Sequence, residues 1–247
     1  MRRLSGMTVL GGVLAGLLFL LLIPSCRMVR ELMKGVELPR YMQVRRSPEL
    51  KKTEIRSIAV LPMIAPPIAK ADRQKEDLLC SFCGRPVAEH RNFREAGERI
   101  SSYLYEDLRK VAPYRVISPE KVHLRLAVEK VPPERYRNLT FIKRFGRELG
   151  ADVLVVGEVL RVRERRGGRY SVVEPASISF RLVLYRVKDG REIFSVDYDE
   201  TQRPLNEEPQ RFFHPSRIRF RWQTAEELAR AAVKEVVKVF PGVQPAP

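Results

Sequence analysis

Cysteine, histidine and tryptophan are scarce in this chain of 247 residues, which holds three, three and one of them. His90, His123 and His214 are scattered, and none falls within a recognisable nucleophile or metal motif. No glycine-rich phosphate loop follows the first strand-like segment, where a nucleotide site would need one. Acids are outnumbered, with 30 Asp and Glu against 46 Lys and Arg, for a net charge of +16. Asp197 and Asp199 make the nearest approach to a carboxylate pair, and alternation places both on the solvent face of an outer strand. These absences predict a protein that is not an enzyme and carries no cofactor.

Long apolar runs are also missing, except for one. Residues 7–24 are apolar apart from Thr8, follow Met1-Arg2-Arg3, and end at Ile23-Pro24-Ser25-Cys26. This segment resembles a bacterial lipoprotein signal peptide, in which the chain is cut before the cysteine and that cysteine receives the lipid. The resemblance implies lipidation at Cys26 and a membrane partner through that lipid. It also implies an exported domain, and Arg27 favours the outer membrane facing the periplasm over inner-membrane retention. The competing reading is an uncleaved helix, since the run approaches the roughly 20 residues that span a bilayer. Arg27, Arg30 and Lys34 follow it, so charge at both ends leaves orientation open. Without Arg2 and Arg3 the chain still carries +14. That balance favours anionic partners such as lipid headgroups, lipopolysaccharide or cell-wall polymers, while an exported location sets nucleic acid aside.

Residues 26–53 read as a basic tether and residues 54–241 as a single domain, followed by a frayed tail at 242–247. The first strand spans residues 55–62 and is closed by Pro62. A connection of about thirty residues follows, long enough to carry function. It holds Cys80, Cys83 and His90. A small disulfide ring, three zinc ligands and free thiols compete there, and an oxidising compartment ranks the disulfide first. Asn92 and Glu95 suggest a capping box for a helix reaching Val111. Strand Tyr114-Arg115-Val116-Ile117 leads to a helix capped by Ser118 with Pro119 at its first position. A third helix runs into Gly150, the candidate αL residue that ends it.

The clearest strand is Val153-Leu154-Val155-Val156, apolar throughout and set between two glycines, as in the middle of a covered sheet. Residues 177–184 alternate, and Asp189-Gly190 marks a hairpin of the type I′ kind. Residues 203–221 then interleave prolines, aromatics and arginines. Phe212, Phe213, Trp222, Arg217 and Arg219 form a candidate partner surface there, against the alternative that the loop folds its aromatics over the sheet. Thr224 caps the last helix. The fold class is α/β: a mixed sheet of about five strands, a parallel βαβαβ core plus an antiparallel meander, with helices packed on it.

Several landmarks, Ile58-Ala59-Val60-Leu61-Pro62, Tyr114-Arg115-Val116-Ile117-Ser118, residues 150–159, and Asp189-Gly190-Arg191-Glu192-Ile193-Phe194, are similar to those of bacterial envelope lipoproteins with a TolB-amino-terminal-like fold. That group includes the curli-secretion channel lipoprotein and activators of penicillin-binding proteins. The resemblance implies a non-catalytic role in envelope assembly or regulation through a protein partner, with oligomers allowed. A curli-type pore is not expected. Arg181, Arg186, Lys188 and Arg191 interrupt the apolar row that a lipid-facing barrel wall needs in each strand.

Overall fold

Residues 41–64, 90–203 and 221–243 are described by a computed structural model. Strand β4 (Val153–Arg163) is the pivot of the fold. It pairs in parallel with β2 (Ser57–Val60) on one side and antiparallel with β7 (Ser177–Arg186) on the other. Beyond β2 lies β3 (Arg115–Ile117), again parallel. Beyond β7 lie β8 (Glu192–Thr201) and then β1 (Met42–Arg46), both antiparallel to their neighbours. The sheet therefore has six strands in the order β1-β8-β7-β4-β2-β3, and β5 (Arg166–Gly167) with β6 (Val172–Glu174) makes a separate small hairpin.

The mixed α/β sheet is as expected, with one strand more than expected. Residues 42–46, read from sequence as part of the tether, pair with β8 from Met42 opposite Tyr198 to Arg46 opposite Phe194. Met42 is buried while Gln43 and Arg45 are exposed, so a short alternation had been hidden among basic residues. This places β8 inside the sheet and not at its edge. Ser195 on its polar side is 1% exposed.

Four α-helices cover the sheet unevenly. Helices α1 (His90–Val111) and α4 (Ala225–Lys238) lie together on one face. Arg99 reaches Glu226 at 3.4 Å and Arg230 reaches Glu106 at 3.0 Å between them. Helices α2 (Pro119–Glu129) and α3 (Leu139–Leu149) cover the other face, where Leu126, Phe141, Phe145 and Leu149 pack with Leu154 and Val156. Phe141 and Phe145 stack at 4.8 Å, and burying each such ring contributes about 1.5–3 kcal/mol.

Helix ends follow their side chains. Ser118 caps α2 and Gly150 takes the αL conformation after α3 (φ 71°), as predicted. Thr224 and Glu227 form a reciprocal capping box on α4. Asn138 caps α3 by accepting from Thr140 N and Phe141 N, a role its sequence context had not suggested. Helix α1 begins at His90, two residues before the Asn92 expected to cap it. The turn after β7 is not type I′, which needs positive φ at two residues. Only Gly190 has it (φ 75°), and the pairing shifts register between Leu184 and Tyr185.

Candidate functional site

Several candidate residues, Cys26, Cys80, Cys83, Phe212, Phe213, Arg217 and Arg219, lie outside the described residues. His90 opens α1. Trp222 is half-buried, and its backbone N–H donates to Arg169 O at 2.8 Å. Among the described residues no three His, Cys, Asp or Glu side chains come together as a metal site, and no helix is long and apolar enough to cross a membrane.

Asp197 and Asp199 do sit on an open strand face, and arginines hold both. Arg45 donates to Asp197 Oδ2 at 2.9 Å from β1, and Arg181 donates to Asp197 Oδ1 from β7. Arg161 from β4 reaches Asp199 and, through Nε, Ser177 Oγ. Register puts Glu158, Arg181, Asp197 and Gln43 in one row across β4, β7, β8 and β1. Arg137, from the 3₁₀ turn Pro133–Arg137, closes the row on Glu158. A hydrogen bond from Arg181 to Asp197 raises that guanidinium further above its ordinary value.

Helices α2 and α3 pack on β2 and β4 and reach Tyr185 on β7 and Val187 just after it. Interstrand ion pairs thus line this part of the sheet, with exposed Leu160 at a bulge in β4. Individual exposed pairs contribute only about 0–1 kcal/mol to stability. Their effect is to fix a pattern of charge on a rigid support. Sequence reasoning found the aspartates and missed their partners, because Arg45 belongs to the unrecognised strand and Arg137 to an irregular turn.

The two ends of the sheet also differ. At one end Asp199 N donates to Tyr41 O, Gln202 N to Ala176 O, and Gln223 N to Gln202 Oε1. The chain thus enters β1, leaves β8 and enters α4 at the same end, beside the 164–176 excursion between β4 and β7. Tyr170 and Val173 in that excursion are each 79% exposed. At the opposite end a cleft of about 440 Å³ is lined by Arg46, Thr53, Tyr114 and Phe240. The buried Tyr114 hydroxyl has no hydrogen-bond partner there, and burial pushes its titration up.

No protein-family model matches the chain, and no curated sequence matches it significantly. Solved structures similar to it include a PelC dodecamer from Paraburkholderia phytofirmans, at 15% identity over 82% of this chain and 99% of that one, with a TM-score of 0.43. Lipoprotein GNA1162 from Neisseria meningitidis is similar at 14% identity over 60% and 84%, with a TM-score of 0.39. The LpoB C-terminal domain from Salmonella enterica is similar at 12% identity over 63% and 94%, with a TM-score of 0.32. The likeness is one of fold alone.

Proposed function

We propose that this protein is a lipid-anchored module of the cell envelope that works without catalysis, by presenting a rigid surface to another envelope protein. The observation that carries the reading is the ion-paired row Glu158–Arg181–Asp197 with Arg45 and Arg137, held across four strands. Charges fixed before contact need no ordering when a partner binds, so they favour specificity and encounter rate over raw affinity. Leu160 supplies an exposed apolar point within that charged field. Cys26 supplies the lipid, and the periplasmic side of the outer membrane is the setting in which this surface acts.

The test is site-specific photo-crosslinking from Leu160 in cells expressing the full chain, with the Cys26 lipid mass read from the same preparation. We expect an adduct with an envelope protein that disappears in Arg181→Glu while the protein remains folded. An adduct indifferent to that charge reversal, or a purified protein that turns over a substrate, removes the proposal. A Cys26→Ser protein that stays membrane-bound and uncut would replace the lipid anchor by a spanning helix.

A further inference from the structure

The β5–β6 hairpin has a tip built unlike the rest of the surface. Between Arg166 and Glu174 the sequence reads Gly167-Gly168-Arg169-Tyr170-Ser171-Val172-Val173. Tyr170 and Val173 are the two most exposed large apolar side chains among the described residues, at 79% each. A soluble surface gains nothing by holding both out on a two-stranded projection. Arg166 pairs with Glu174 at 3.4 Å. Arg169 is exposed, and among the described residues no carboxylate pairs with it. Nearby Arg203, just after β8, is likewise exposed and unpaired among them.

This tip lies at the end of the sheet where the chain enters at Tyr41. Cys26 is only fifteen residues upstream, and fifteen extended residues reach at most about 50 Å. Those residues include Arg27, Arg30, Lys34 and Arg40, which an anionic surface attracts. The opposite end of the sheet, with the Lys188-Asp189-Gly190 turn, is a full strand length of about 33 Å away along β7.

We infer that the 166–174 hairpin tip is an interfacial membrane contact, in which Tyr170 and Val173 enter the headgroup boundary of an anionic bilayer and Arg169 meets its phosphates. The inference rests on the lipid-anchor reading for its direction and on the tip's own chemistry for its occupant. Tyrosine suits the boundary because its ring is apolar and its hydroxyl stays wet. An arginine beside it adds electrostatic attraction to an anionic leaflet. One end of the domain would then be seated on the membrane, leaving the meander face upright beside it for a protein partner.

The test uses the full chain in phosphatidylglycerol vesicles with brominated acyl chains, compared with phosphatidylcholine. Tryptophan is placed by Tyr170→Trp or, as a control at the far end, by Lys188→Trp, each in a Trp222→Phe background. We expect quenching and a blue shift at position 170 in anionic vesicles, lost in Arg169→Gln at raised salt, and neither change at position 188. Amide exchange in the unaltered protein gives a second reading, with slowing confined to residues 166–174 when vesicles are present. Quenching at 170 in a chain without lipid on Cys26 supports the hairpin contact while removing the anchor reading. A lipidated chain unquenched at 170 and unprotected at 166–174 overturns the inference and spares the anchor. A shift at 170 that follows protein concentration without lipid assigns the tip to a second copy of the chain and also overturns it.

Discussion

Asp152 and Ser57 lock the starts of two parallel strands together. Asp152 Oδ2 accepts from the Ser57 backbone N–H at 2.9 Å and from Arg56 N at 3.0 Å, while Asp152 N donates to Ser57 Oγ at 3.1 Å. The two residues are 95 positions apart in the chain. Because Ser57 is buried, removing the carboxylate leaves backbone donors without a partner.

Asp152→Ala is therefore expected to cost about 1–3 kcal/mol, the price of stranding buried polar groups. Urea unfolding should show a lowered midpoint with an unchanged slope. An unaltered midpoint would mean that water replaces the carboxylate freely.

Gly146 on α3 faces Val187 after β7, and a Cβ built at Gly146 would stand 2.2 Å from Val187 Cγ2. Valine is stiff at χ1 and cannot swing aside, so overpacking should cost Gly146→Ala about 1–3 kcal/mol. Adding Val187→Ala should recover part of that loss. A double-mutant cycle measures the coupling, and strict additivity of the two changes would refute the contact.

Asp189 sits in the β7–β8 turn, where hydrogen bonds from Arg186 hold its carboxyl down to about 2, below the roughly 3.9 of an unfolded chain. A depressed folded value means its contribution to stability is present above about pH 4 and is lost as pH falls towards 2. The carboxyl is partly exposed, so solvent screens the effect and the slope is shallow. Asp189→Asn should flatten the acid limb of the stability profile between those values and leave neutral pH nearly unchanged. Equilibrium unfolding at stepped pH reads this directly.

Thr224 Oγ1 accepts from Glu227 N at 3.1 Å, and Glu227 Oε2 accepts from Thr224 N at 3.1 Å. Loss of the first of these bonds in Thr224→Ala should cost about 1 kcal/mol and lower Tm by about 2–4 °C, measured by calorimetry. Thr224→Ser should restore most of it, because serine keeps the accepting oxygen.

Where local chemistry sets the outcome, the chain was readable. Gly150 as the αL residue after α3, Ser118 and Thr224 as caps, and the apolar run at Val153–Val156 each depend on near neighbours or on burial that a buried strand must show in its composition. The turn at Asp189-Gly190 was placed correctly and typed wrongly. Its geometry depends on Arg186 claiming the aspartate and on a register shift at Leu184, neither of which a dipeptide carries. Strand β1 was missed because five residues between basic neighbours make too short an alternation to stand out until β8 lies beside them.

The amino-acid order by itself determined the apolar run before Cys26, the α/β class, the helix stops and the scarcity of cysteine and histidine, since each is a matter of composition or of contacts within a few residues. Only the tertiary structure decided that β1 closes the sheet, that Arg45, Arg181 and Asp197 meet from three strands, and that the 166–174 hairpin shares an end with the chain's entry. Those relations join residues as far apart as Met42 and Tyr198, 156 positions along the chain. Strand register creates them, and it is not written in any one segment.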